Sequence, residues 1–141
     1  MRALWRDDEA EYRGTLVQIE RSWCWPKPTT PAGPPVFIGG AGGARMVRHV
    51  VDYADGWLPN HAGPTVDTTL DALRREAASR GRDPDTIRVV VPGTPDGAFL
   101  DAQAARGCER VLLPIPSAPA DVVLPFLDRY APVAAELNRG S

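Results

Sequence analysis

Four times between Val36 and the C-terminus a short apolar or β-branched run gives way to a helical pattern, and this alternation limits the chain more than any other feature. The runs begin at Val36, Trp57, Val89 and Val111. Strands separated by helices cannot be joined as hairpins. They lie parallel, and each helix crosses back over the sheet, by default in the right-handed sense. The class is therefore α/β, and four β/α units make either a small doubly wound sheet or half of an eight-stranded barrel.

The helical spacings are specific. Met46, Val47, Val50, Val51 and Ala54 share one face of a helix ending near Tyr53, and Val66, Leu70, Leu73 and Ala77 define a second one to about Arg80, stopped by Gly81. Ile87-Arg88-Val89-Val90-Val91 is a strongly β-branched strand. Thr94-Pro95-Asp96 predicts an N-cap and a first-turn proline, with Phe99, Leu100 and Ala104 inside and Gly107 closing the helix. Val111-Leu112-Leu113 is the last strand. A final helix from about Asp121 places Val122, Phe126, Tyr130 and Leu137 along one side, provided Pro125 falls in its first turn.

The first third is different. Met1 to Trp5 reads as the last turn of a helix whose beginning is missing, and Thr15-Leu16-Val17-Gln18-Ile19 has strand character. Trp23-Cys24-Trp25-Pro26-Lys27-Pro28 opens a proline-rich surface passage that cannot be helical, and the tryptophans are expected to anchor it.

The clearest candidate site is Pro34-Pro35-Val36-Phe37-Ile38-Gly39-Gly40-Ala41-Gly42-Gly43-Ala44-Arg45, a buried strand, a glycine turn and a helix start. Glycine permits φ > 0 and close approach of backbone to a ligand, and the first peptide N–H groups of a helix carry partial positive charge. Gly39, Gly40, Ala41, Gly42 and Gly43 thus offer either a phosphate seat or a turn that serves chain geometry alone. The run is neither GxGxxG, because Arg45 stands in the last place, nor a Walker loop, because no Gly-Lys-Ser/Thr occurs. Asn60 and His61, just past the second strand, are candidates to meet substrate, and Trp57 either enters the core or borders a cofactor. His49, Arg74, Arg75 and Glu76 read as solvated helix faces.

Composition excludes several classes. A net charge of -2 on 141 residues gives no electrostatic reason to bind nucleic acid or an anionic membrane. No apolar run approaches the roughly 20 residues of a membrane helix, and the N-terminus lacks the apolar core of a signal peptide, which predicts a cytoplasmic protein. Cys24 and Cys108 are too few for a metal cluster or a disulfide framework. With no Ser/His/Asp set or carboxylate pair in view, no catalytic base is assigned.

Taken in order, Ala3-Leu4-Trp5 with its acidic segment, Tyr12-Arg13-Gly14, Trp25-Pro26-Lys27-Pro28, the 34–42 run and Tyr53-Ala54-Asp55-Gly56-Trp57-Leu58-Pro59 resemble the C-terminal half of a luciferase-like monooxygenase, above all the coenzyme F-420-dependent subgroup. The resemblance covers almost the whole chain as a single domain, 1–33 leading into four β/α units over 34–141. It implies strands five to eight of a (β/α)8 barrel, with the first four absent. It implies oxidoreductase chemistry on a small-molecule substrate, a cofactor phosphate on the 39–43 turn, F-420 before FMN as cofactor, and no metal. A half-barrel leaves edges and an inner face uncovered, which predicts a homo-oligomer or a partner chain supplying the missing half. The alternative is a non-catalytic truncated half-barrel acting as a cofactor-binding or oligomerisation module.

Overall fold

A computed structural model describes residues 1–137; residues 138–141, which the 34–141 unit includes, lie outside the described residues. The chain divides into two compact units that part between Val36 and Phe37.

The first unit holds helix α1 (Arg2–Arg6) and an antiparallel pair, β1 (Ala10–Arg13) and β2 (Gln18–Ser22), in the register Ala10↔Ser22, Tyr12↔Ile19 and Arg13↔Gln18. The strand expected at residues 15–19 thus begins later. Gly14 N–H bonds to the Val17 carbonyl and closes a hairpin, so Thr15 and Leu16 belong to its tip, and Leu16 is 97% exposed. The tryptophans do not anchor the proline-rich passage: Trp23 and Trp25 are exposed. Lys27 does that instead. Its ammonium lies over the Trp25 ring and donates to the Leu4 and Asp7 carbonyls at the end of α1, where the helix leaves carbonyls unpaired and its dipole favours a cation.

The second unit is the α/β body. Its parallel sheet runs β3 (Phe37–Gly39), β4 (Gly56–Leu58), β5 (Arg88–Pro92) and β6 (Arg110–Leu112) in chain order, alternating with α2 (Ala44–Tyr53), α3 (Pro64–Ser79), α4 (Gly97–Ala105) and α5 (Ala120–Leu137). A doubly wound sheet reverses its strand order at a switch point; this one does not.

The core lies where α2 and α3 cover the sheet. Met46, Val47, Val50, Val51 and Ala54 from α2 and its end, Val66, Leu70, Leu73 and Ala77 from α3, and Trp57, Val89 and Val91 from the strands form one cluster. Each large side chain buried there contributes about 1.5–3 kcal/mol relative to exposure. Side chains alternate along a strand, so Val90 points away from that cluster. On this opposite face, at the N-terminal ends of the strands, Phe37, Gly56 and Arg88 share one row. A Cβ at Gly56 would strike the Phe37 ring; without one, the ring lies across β4 and the Arg88 guanidinium stacks 5.2 Å from its centroid.

Several local expectations change. β3 starts at Phe37 and is only half-buried, because a strand with a neighbour on one side alone stays open at its edge. Asp96, not Thr94, caps α4: its carboxylate accepts from Phe99 N–H, and this leaves Pro95 outside the helix. Gln103, not Ala104, is buried on α4. In α5 both Pro125 and Pro132 lie inside the helix, beyond its first turn. Its half-buried line is Val123, Phe126, Tyr130 and Val133, while Val122 and Leu137 are exposed. Among the described residues no helix is long and apolar enough to cross a membrane.

Candidate functional site

Parallel strands that pair in register end together, and this builds the site. Gly39 is the register partner of Leu58, so the turn after β3 and the loop after β4 emerge side by side at the C-terminal edge of the sheet. Gly40 N–H bonds to the Leu58 carbonyl at 3.2 Å and extends the ladder into the turn. The Gly40 carbonyl accepts from the indole Nε1 of Trp57 at 3.0 Å. Trp57 is 1% exposed, so its aromatic body fills the core while its one polar atom fixes the turn from beneath.

The turn then needs glycine twice. Gly42 and Gly43 hold φ values of +107° and +103°, and Gly43 with ψ 159° lies in a region that is essentially glycine-only. Gly43 is also the N-cap of α2, and no side chain caps that helix. The first N–H groups of α2 therefore lack the usual capping partner. A Cβ at Gly43 would meet nothing within 4 Å, whereas one at Gly42 would come within 2.6 Å of the Thr69 hydroxyl on α3. Gly39, Ala41 and Gly43 are exposed and Gly40 and Gly42 half-buried, so the turn presents backbone outward. These features suit a phosphate: polarised N–H groups, room beside them and no competing side-chain acceptor.

Asn60 and His61 follow β4 through the buried Pro59 and are exposed at the same edge. Neither side chain makes a hydrogen bond or ion pair among the described residues, so both are free to meet a ligand. His49 lies on the outer side of α2 against Tyr53, with ring centroids 5.6 Å apart. Among the described residues no group of three His, Cys, Asp or Glu could hold a metal ion. Burial pushes the Cys108 thiol up, which makes a poor thiolate, and its sulfur faces the Gln103 side-chain carbonyl.

Thr69 and Arg82 are not singled out by motif. The Arg82 guanidinium donates to the carbonyls of Val50, Val51 and Ala54, each at 2.9 Å, and so closes the C-terminal end of the same helix that the turn opens. The role of Arg82 is hidden in the sequence because the carbonyls it meets lie 28 to 32 residues away. Thr69 does leave a signal: it is a polar residue three places after Val66, on the apolar face of α3.

Residues 1–136 match the luciferase-like monooxygenase family. The chain belongs to that family. It is 35% identical over 133 residues to an uncharacterised protein of Mycobacterium tuberculosis, a match covering 93% of this chain and 46% of the other. It thus spans about half the length of the curated relatives it matches. Among solved structures it is similar to a coenzyme F-420-dependent tetrahydromethanopterin reductase from Methanopyrus kandleri, with a TM-score of 0.56 and 20% identity over 76% of this chain and 37% of that one. A riboflavin lyase solved with modified FMN and riboflavin superposes less well, with a TM-score of 0.46 and 16% identity over 70% of this chain and 23% of that one. The likeness to the reductase is one of fold: an α/β body with a parallel sheet, similar to the luciferase-like barrel.

Proposed function

We propose that this chain is the C-terminal half of a luciferase-like oxidoreductase barrel, and that its glycine turn seats the phosphate of a flavin-type cofactor, coenzyme F-420 before FMN. The observation that carries the reading is the uncapped start of α2 behind Gly42 and Gly43, held in shape by the Trp57 bond to Gly40. The peptide N–H groups after Gly43 would take the phosphate oxygens. Trp57 would brace the turn from the core side rather than touch the ligand. A bound flavin or deazaflavin ring would supply the redox chemistry. Asn60 and His61, exposed at the same sheet edge, are the groups of this chain placed to meet a small-molecule substrate beside it. The experiment is a binding titration of the chain with F-420 and FMN; a folded protein with affinity for neither refutes the reading.

A second reading has its own observation. No residue of α5 is buried, and Leu112, Ile115, Leu124 and Leu127 are each more than two-fifths exposed. Apolar surface of this kind marks an interaction face. On this reading the chain is a non-catalytic module that binds cofactor, or assembles with a second copy or a chain supplying the other strands. Sedimentation separates the two. A compact monomer of 15.2 kDa at micromolar concentration would sink the assembly reading.

A further inference from the structure

A groove of about 640 Å3 between α2 and α3 begins beside Gly43 and Ala44 and continues past Thr69, Arg48 and Arg75. Three independent features converge there. The start of α2 has no side-chain cap. The neighbouring Thr68 turns its hydroxyl back to the Thr65 carbonyl, the usual resource of a helical threonine, yet Thr69, only 7% exposed, makes no hydrogen bond among the described residues. Lastly, Arg48 and Arg75 form no ion pair among the described residues, whereas Glu76, the acidic residue of the groove, is held by Arg80. Thr69 is largely covered on an otherwise apolar helix face, but its hydroxyl opens onto the groove, beside the position that a Gly42 Cβ would take, and is free to turn to a ligand there.

We propose that Thr69 is a phosphate ligand: its hydroxyl donates to an oxygen of a phosphate ester seated on the first N–H groups of α2, and Arg48 and Arg75 supply a positive field that favours the anion. The inference rests on the glycine turn being a phosphate seat, and it adds a recognition residue from a different element. A hydrogen bond to a charged oxygen is among the stronger ones a protein makes. Glycine at 42 has a second reason on this account, since a side chain there would displace the hydroxyl.

The test compares ligands with and without the phosphate on the full chain: FMN against riboflavin, and F-420 against the same deazaflavin lacking its phosphate-bearing chain. Inorganic phosphate is followed separately by phosphorus NMR, and circular dichroism monitors folding. In the unaltered chain the phosphorylated forms bind more tightly. Thr69→Val is expected to cut that preference by about tenfold or more, while Thr69→Ser, which keeps the hydroxyl, restores it. A preference unchanged within about twofold in folded Thr69→Val overturns the role of Thr69 and leaves the cofactor reading standing. If inorganic phosphate binds and is weakened by Thr69→Val, but no flavin or deazaflavin binds, Thr69 is a phosphate ligand and the cofactor reading fails. If neither phosphate nor any phosphorylated ligand binds, both fail.

Discussion

The indole of Trp57 and the carbonyl of Gly40 are 17 residues apart in sequence and joined by a 3.0 Å hydrogen bond, which ties the middle of β4 to the turn that follows β3. A conformationally free glycine segment becomes a fixed one through this bond, and a fixed backbone can hold an anion without first having to be ordered.

Trp57→Phe keeps an aromatic ring in the core but removes the donor and part of the volume. The expected loss of stability is about 1–3 kcal/mol, from an orphaned carbonyl and a cavity together. Urea unfolding measures it. Affinity for a phosphate-bearing flavin should fall as well in the folded variant, since the turn would no longer be held.

Gly43→Ala isolates backbone conformation. A Cβ there has nothing to strike within 4 Å, so any cost comes from φ +103° and ψ 159° alone, about 1–3 kcal/mol. An equilibrium denaturation midpoint equal to that of the unaltered chain would show that the turn relaxes without difficulty.

Arg82 caps α2 from a distance, and its fork reaches three carbonyls that a lysine could not satisfy together. Arg82→Lys is expected to be destabilised almost as much as Arg82→Met, by about 2–3 kcal/mol. Hydrogen exchange should rise first in the last turn of α2.

The Arg88 guanidinium grips Glu109 through both of its oxygens and holds the carboxyl below its ordinary range. A carboxylate with a lowered native pKa contributes stability that is present above the ordinary carboxylate range and lost as pH falls through the native value. About a third of each side chain is exposed, so solvent screens the pair and the effect is small. Glu109→Gln should lower the neutral-pH urea midpoint slightly, leave the acid midpoint near that of the unaltered chain, and so flatten the fall between about pH 5 and pH 3.

Much of the body is legible in the residues because it is periodic. The α2 face of Met46, Val47, Val50, Val51 and Ala54 and the α3 face of Val66, Leu70, Leu73 and Ala77 are buried as their spacing implies. The proline-rich passage is less legible for a physical reason: aromatic residues suggest anchors, but a lysine ammonium beside the carbonyls at the end of α1 does the holding. The final helix lies where its spacing implies, but the proline rule is local and does not foresee that α5 carries Pro125 and Pro132 within its length.

By itself, then, the sequence determined the α/β class, the order of the units and the place of the glycine turn. Those follow from side-chain period and from the conformations open to each residue, both of which act over a few positions. Tertiary structure alone decided that Trp57 lies beneath the turn, that Thr69 presses against Gly42 and that Arg82 closes α2. Each of these joins residues 17 or more apart, and no local pattern encodes which donor will meet which carbonyl until the helices have packed on the sheet.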